Sequence, residues 1–304
     1  MINRRWLAGL LSGAVMALTA LPALAQEVTL KLHQFLPAQA NVPKLILDVW
    51  ADKVEADSDG RIRIARYPSM QLGGTPPQLM DQVADGVADI VWTVAGYTPG
   101  RFPSTEVFEL PFMISDARAA SSAYWQMYES RMQDEFADVK VLGTWVHGPG
   151  VIHASKQIRT PAKGVIDGTT IPWEVTGALK VPELVNYHTE FEGRMLYDVT
   201  FVLAMNKARY QSLPDDLKKV IDDNSGLEFS IFAGGTQADS DGPARQAAVD
   251  NGNQIVTLSE AEAQAWVLAS QPVYDAWIAE MEAKGIDGQA LIDEARRLMD
   301  EYEG

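Results

Sequence analysis

Two short segments of the chain, residues 84–90 (ADGVADI) and 162–168 (AKGVIDG), resemble each other. Each is typical of the end of a helix, a glycine turn and the start of a strand. A strand and a full helix precede the first copy, whereas only a short loop precedes the second. A two-lobed protein would carry the same α/β unit in both lobes. The sequence therefore predicts a complete first lobe and a shortened second lobe.

The N-terminus has the pattern of an export signal. Arg4 and Arg5 precede an uncharged apolar run at residues 7–21, and residues 22–25 (PALA) end in small side chains. This run is short for a membrane anchor, and the small residues favour cleavage before Gln26. We expect a signal peptide over residues 1–25 and a mature periplasmic protein that is not embedded in the membrane.

The charge and cysteine content narrow the possible partners. The chain has 41 acidic against 25 basic residues and a net charge of −16, which argues against nucleic acid as a partner. A small organic acid remains possible because a single buried arginine can bind a carboxylate. The chain has no cysteine, which excludes disulfides and cysteine-based metal sites.

The first hundred residues alternate between strand and helix patterns. Strands are predicted at residues 28–32, 61–67 and 89–94, with helices between them. This order is typical of a parallel α/β sheet, on which ligands bind beyond the carboxyl ends of the strands. The candidate binding loops are therefore residues 33–35, 71–74 and 93–97.

The rest of the chain contains a second group of strands and then a largely helical region. Further strands are predicted at residues 139–146, 151–155, 166–171 and 197–205. After residue 213 the pattern is mostly helical, and Ser259 with Glu262 forms a capping-box motif.

Several motifs resemble, in their order and spacing, the solute receptors of tripartite ATP-independent periplasmic (TRAP) transporters, of the DctP type. They are residues 71–74 (QLGG), 85–89 (DGVAD), 109–112 (ELPF), 164–168 (GVIDG) and 205–207 (MNK). The resemblance implies a fold like that of type II periplasmic binding proteins, with two α/β lobes, crossing strands and a long C-terminal helical region. It also implies lobe closure on a small mono- or dicarboxylate, which is delivered to the TRAP membrane subunits.

By this resemblance we assign residues 26–147 and 206–240 to the first lobe, and residues 148–205 and 241–304 to the second. In the family, a strand carrying the ligand-binding arginine follows the loop that corresponds to residues 159–162. Here Ala162 and Lys163 lead directly into Gly164. About 40 residues of the family pattern, the scale of a βαβ unit, are missing. Arg159 lies in the preceding loop and is not assigned the family role, so we expect weak binding or none.

Nine residues are candidates for contact with the ligand because they lie at or beyond strand ends or at the crossing between the lobes. They are His33, Phe35, Gln71, Trp92, Thr93, Tyr97, Trp173, Glu174 and Asn206. Each also has a structural interpretation, such as a core position for Trp92 or a turn position for Gln71. An adjacent Trp and Glu hold a cation in some relatives, but no further ligands for a cation can be named here, and no cofactor is predicted.

Three alternatives remain open at this point. The chain could be an inactive remnant of a receptor, a secreted enzyme or a chemosensory binding protein. An enzyme is disfavoured because the four histidines, His33, His147, His153 and His188, show no metal-binding spacing and no motif of a nucleophile or phosphate site is present. No catalytic residue and no metal ligand are assigned.

Overall fold

The structure, a computed structural model, describes residues 27–159 and 168–303. The predicted signal peptide and the junction at Lys163 and Gly164 lie outside these described residues. The described chain forms two sheets, one of five strands and one of four. No helix in this part of the chain is both long and apolar enough to cross a membrane.

The first sheet has the strand order β2-β1-β3-β8-β4. Strand β1 is parallel to β2 and β3, whereas β8 is antiparallel to both β3 and β4. Every residue of β3 and β8 is buried, as expected for apolar strands covered by helices on both faces. The strands are β1 (Val28–His33), β2 (Ile62–Tyr67), β3 (Ile90–Val94), β4 (Val139–Val146) and β8 (Thr200–Asn206).

In the described ranges, seven α-helices pack around the first sheet, and α3 lies between the sheet and α11. A π-helical turn, Pro43–Leu47, leads into the first of them. The helices are α1 (Asp48–Asp57), α2 (Leu79–Ala84), α3 (Ala117–Met127), α6 (Lys207–Gln211), α7 (Asp215–Asp223), α8 (Leu227–Asp239) and α11 (Gly288–Glu303).

The second sheet has the order β6-β5-β7-β9, with β6 at one edge. Its strands are β5 (Gly150–Ala154), β6 (Gly168–Pro172), β7 (Tyr187–Phe191) and β9 (Gln254–Leu258). Its helices are α4 (Trp173–Thr176), α5 (Val181–Leu184), α9 (Asp241–Asp250) and α10 (Glu260–Ala283), and the capping box predicted at Ser259 starts α10. The prediction of two α/β lobes with a long C-terminal helical region is confirmed.

Four segments of the described chain cross between the lobes: residues 147–149, residues 192–199, Ser240 between α8 and α9, and residues 284–287 between α10 and α11. The first of them approaches the start of α9, since a Cβ atom on Gly148 would lie 1.9 Å from a carboxylate oxygen of Asp241. Only a glycine fits this close approach without a shift of the neighbouring segment.

The lobe division drawn from the sequence differs from the structure in two elements. Strand β8, apart from its last residue, and α11 were assigned to the second lobe. In the structure β8 pairs with β3 and β4 of the first sheet, and α11 packs against α3. Strand β8 lies there because its apolar side chains can be buried on both faces only inside a covered sheet.

Helices α3 and α8 approach closely at Gly234. A Cβ atom there would lie 2.1 Å from Ser121 Oγ and 3.1 Å from the carbonyl oxygen of Ala117. Ser121 is fully buried, and its hydroxyl donates to Ala117 O (2.6 Å) and accepts from Val146 N–H (3.2 Å). Its side chain cannot move aside without breaking these bonds.

We therefore expect Gly234→Ala to lower the free energy of unfolding by about 1–3 kcal/mol through overpacking. Gly242→Ala is the matched control, because nothing lies within 4 Å of a Cβ atom at that exposed helical position. The control should be neutral or stabilising by up to about 1 kcal/mol, since alanine favours a helix over glycine. Urea unfolding measures both, and equal effects would contradict the close contact.

Candidate functional site

Three of the candidate residues form an aromatic group: Trp92 lies within β3, whereas Phe35 and Tyr97 follow the carboxyl ends of β1 and β3. Phe35 stacks on Trp92, with ring centroids 4.6 Å apart, and meets Tyr97 edge to face at 5.6 Å. Trp92 is 1% exposed, Phe35 is partly buried and Tyr97 is 37% exposed. These two parallel strands are neighbours in the sheet, which brings the following loops together. Phe35 and Tyr97 thus form the more accessible side of the group.

Trp92 extends this group into the core of the first lobe. Its ring lies parallel to that of Trp145, with centroids 6.3 Å apart, and packs on Phe201 at 5.2 Å. Among the described residues, the buried Trp92 Nε1–H has no hydrogen-bond partner. A buried donor without a partner costs about 1–3 kcal/mol, so this N–H is a candidate donor to a ligand.

A chain of hydrogen bonds connects the aromatic group to the second lobe. Trp145 Nε1–H donates to Gln237 Oε1 (2.9 Å), and Gln237 Nε2 donates to Glu174 Oε1 (2.9 Å). Asn41 of the first lobe also donates to the backbone oxygen of Glu174 (2.9 Å). Glu174, at the start of α4, therefore fixes the position of the second lobe against the first.

Glu174 shares its surroundings with a second carboxylate. Its backbone N–H donates to Asp241 Oδ1 (2.8 Å), and one oxygen of each carboxylate is buried without a partner among the described residues. Burial raises the pKa of Glu174 to about 7, and it raises the pKa of Asp241 to about 8 with a further contribution from the nearby Glu174. The pair therefore binds protons near neutral pH.

Trp173 lies on the other side of this junction, inside the second lobe. Its Nε1–H donates to Glu190 Oε2 (3.2 Å), and its ring contacts those of His153 and His188 at 5.2 and 4.7 Å. Burial raises the pKa of Glu190, but hydrogen bonds from Arg245, Thr257 and Trp173, together with the positive charge of Arg245, outweigh it, and the net pKa is lowered. Trp173 is 3% exposed, so its ring is buried inside the second lobe.

The two histidines beside Trp173 have a defined proton arrangement. His153 Nε2 lies 3.0 Å from the carbonyl oxygen of Ile171, which only accepts, so Nε2 carries a proton. His153 Nδ1 then accepts from Nδ1–H of His188 at 2.6 Å. Burial lowers the pKa of both rings, which favours this neutral pair.

Gln71 lies in the turn after β2, and His33, the last residue of β1, contacts this turn. His33 is fully buried, its Nδ1 is 2.8 Å from Gln82 Oε1, and its Nε2 accepts from the backbone N–H of Leu72 (3.3 Å). Gln71 is exposed, and its backbone N–H donates to Pro68 O (3.1 Å). His33 thus holds the turn against α2, and the structure places Gln71 in the turn itself.

Thr93 and Asn206 are separate from the aromatic group. Thr93 is buried in β3 and faces the opposite side of the sheet from Trp92, because side chains alternate along a strand. Asn206 caps α6: its Oδ1 accepts from Arg209 N–H (2.8 Å), and its Nδ2 donates to Val83 O and Ala84 O. All the polar groups of the Asn206 side chain are already in use.

Sequence reasoning did not identify Trp145, Gln237 or Asp241, which complete the junction. Trp145 could have been recognised from the sequence, because it lies near the end of a predicted buried strand. Gln237 and Asp241 could not, since their partner Glu174 lies more than 60 residues away in the chain. Within the described ranges, no group of three or more His, Asp or Glu residues could hold a metal ion.

Because the carboxyls of Glu174 and Asp241 are buried, we predict that the free energy of unfolding falls as the pH rises. Because the pKa of Asp241 is raised, the folded protein keeps a proton that the unfolded chain releases above about pH 4. This contribution is fully present below that pH and is lost as the pH rises through about 8. Burial lowers the pKa values of His147 and His153 to about 4. These two histidines make the free energy of unfolding rise with pH, but only below about pH 6.5.

From pH 6.5 to 8.5, the free energy of unfolding of the wild type should fall by roughly 1–2 kcal/mol. Asp241→Asn should make the fall smaller, whereas Asp250→Asn, an exposed change on the same helix, should leave it unchanged. Urea unfolding at several pH values measures the slope. An equal slope in Asp241→Asn and the wild type would contradict the assignment.

The chain matches the sequence model of a family described as bacterial extracellular solute-binding protein, family 7 (DctP), over residues 35–163 and 162–281. The two matched pieces meet next to the second near-repeat. Together they cover most of the chain, which shows the family.

Similar solved structures belong to the same class of receptor. A TRAP solute-binding protein from Rhodoferax ferrireducens, in complex with copurified benzoate, is 44% identical and has a TM-score of 0.87, covering 90% of this chain and 98% of that one. A marine metagenome TRAP solute-binding protein specific for aromatic acid ligands, crystallised with 3-hydroxybenzoate, is 38% identical with a TM-score of 0.88, covering 92% and 100%.

A third relative matches along almost its whole length. The outer membrane transporter protein TsaT of Comamonas testosteroni is 26% identical, and the alignment covers 93% of this chain and 95% of that protein. The alignment runs over 334 positions, more than the 304 residues of this chain. The chain belongs to the DctP family, the periplasmic solute-binding proteins of TRAP transporters, which are receptors and not enzymes.

Proposed function

We propose that this protein is a TRAP receptor for small aromatic monocarboxylates, and that its affinity for them is impaired. The aromatic group formed by Phe35, Trp92 and Tyr97 carries the proposal. Phe35 and Tyr97 offer partly accessible rings, and the N–H of Trp92 beside them is a donor without a partner among the described residues. This combination fits a ligand with a flat apolar ring and an acid group.

The ligands of the similar receptors agree with this chemistry. Those proteins hold benzoate and 3-hydroxybenzoate, each a single ring with one carboxylate. In this chain the ligand ring would pack on Phe35. Its carboxylate would accept from Trp92 Nε1–H and from the hydroxyl of Tyr97, which makes no hydrogen bond with the described residues.

The other candidates would act on the proposed site only indirectly. His33 would hold the turn that contains Gln71, and Thr93 lies on the other face of β3 from Trp92. Asn206 lies at the amino end of β3, where its backbone N–H donates to Asp89 O, so it takes no part in the proposed site. Glu174 closes the site from the second lobe through Gln237. Trp173, packed on the histidine pair, holds the start of α4 in place.

Lobe closure would then be a hinge motion at the crossing segments. Trp145 contacts Trp92 on one side and Gln237 on the other, so a ligand that moves Trp92 also acts on the bond between Gln237 and Glu174. Ligand contacts would shift the equilibrium between open and closed lobes in this way. The TRAP membrane subunits implied by the family would recognise the closed form.

The expected weakness follows from the shortened second lobe. Strand β6 lies at the edge of its sheet, and residues 168–170 are exposed. The two matched pieces of the family meet at residues 162–163, where the strand with the ligand-binding arginine is expected from the resemblance. A bidentate arginine–carboxylate pair contributes about 1.5–3 kcal/mol, and this contribution would be missing.

Calorimetric titration of the purified mature chain with benzoate tests the proposal directly. We expect a dissociation constant no tighter than about 1 mM. Phe35→Leu should weaken or abolish the remaining binding because the ring contact is lost, whereas Phe232→Leu, at an exposed site on α8, should have no effect. Tight binding by the wild type would contradict the impairment, and equal effects of both variants would contradict the aromatic site.

A chimera tests the cause of the weakness. The segment of the Rhodoferax receptor that this chain lacks would be inserted between Ala162 and Lys163. Benzoate affinity should rise at least tenfold because a charge-assisted pair is restored. The same insertion with its ligand-binding arginine changed to glutamine is the control and should not gain affinity. A folded chimera that binds no better than the parent chain would refute this explanation.

A further inference from the structure

A cavity that is partly open to solvent lies away from the aromatic group. Its volume is about 340 Å³, and it is lined by α10, α11, Arg194 and the segment at Pro111 and Phe112. Helix α11 packs on α3 of the first lobe, whereas the ring of Phe112 meets Phe191 of the second sheet at 5.3 Å. The cavity is therefore bounded by parts of both lobes.

Two arginines from different elements line this cavity. Arg194 comes from the crossing segment before β8, and Arg296 comes from α11. Among the described residues of the lining, Asp275 is the single acidic one, and its carboxylate already accepts from Gln271 (3.2 Å). In a chain with 41 acidic and 25 basic residues, the lining has the opposite balance of charge.

The existing partner of Arg194 leaves it available to a ligand. Arg194 lies 3.3 Å from a carboxylate oxygen of Glu260, whose side chain is 80% exposed. Exposed ion pairs of this kind contribute about 0–1 kcal/mol, so an anion inside the cavity can compete with Glu260.

The rest of the lining fits an organic body. Phe112, Ile278 and Ile292 give apolar surface, and Ser270, Gln271 and Gln289 give hydrogen-bonding groups. The hydroxyl of Tyr274 donates to Pro111 O (2.8 Å), which ties α10 to the crossing segment. The volume lies at the lower end of the range for small-molecule sites.

The backbone at the rim of the cavity is strained. Phe112 has a φ of 58°, in the left-handed region that bulky residues rarely adopt, and its N–H donates to Leu196 O (3.3 Å). Such strain is concentrated at functional sites, where the surrounding structure maintains it.

We propose that this cavity is a second binding site, for a small organic dianion whose two acid groups pair with Arg194 and Arg296. The ligand would bridge the crossing segment and α11, and it would hold the two lobes in one relative position. The inference does not depend on the aromatic acid proposed for the first site, because the two sites share no residue.

Calorimetric titration of the purified mature chain with succinate tests the site. Arg194→Gln and Arg296→Gln should each weaken succinate binding at least tenfold. Arg297→Gln is the matched control: Arg297 is the next residue on α11 and pairs with Glu301, outside the cavity. The control should bind succinate as the wild type does.

Three results would overturn the proposal. The first is no saturable succinate binding by the wild type, and the second is unchanged succinate affinity in both cavity variants. The third is sulfate binding as tightly as succinate, because the carbon chain of the ligand would then contribute nothing. Circular dichroism of each variant checks that it is folded. Benzoate added at saturation should leave succinate binding intact, which separates this site from the first.

Discussion

Strand β8 is the element on which the two-lobed arrangement depends. The chain leaves the second sheet after β7 and returns to insert β8 between β3 and β4, antiparallel to both. All seven residues of β8 are buried, so its apolar side chains find a covered position only in the first sheet. This return fixes the crossing segment at residues 192–199, which contributes Arg194 to the cavity lined by α10 and α11.

The lobes are held together by polar contacts in a buried setting. The Gln237 side chain accepts a hydrogen bond from the indole N–H of Trp145 and donates one to Glu174. One amide thus connects the aromatic core of the first lobe to a buried carboxylate of the second. A buried carboxyl is costly when charged, which explains why the pKa values of Glu174 and Asp241 are raised. The same contacts that orient the lobes therefore make the junction sensitive to pH.

Much of the fold could be predicted from local patterns, and the site only in part. Alternation and apolar runs located the other strands of the described chain but missed β7 and β9 of the second sheet. The Ser259 capping box located the start of α10, because such signals depend on neighbours in the chain. Phe35, Trp92 and Tyr97 could be grouped because parallel strands end at one edge. Trp145, Gln237 and Asp241 could not be found, since their partners are distant in sequence and ordinary in composition.

The sequence by itself determined the class of protein, the alternation of strands and helices in the first hundred residues, and the helical C-terminal region. Local hydrophobic periodicity and turn chemistry are properties of adjacent residues, so they can be read without coordinates. Only the tertiary structure decided that β8 and α11 belong with the first sheet and that Asn206 caps a helix. It also decided that Arg194 and Arg296 line the cavity between α10 and α11. These features depend on contacts between residues that are far apart in the sequence, and such contacts are decided by how the whole chain packs.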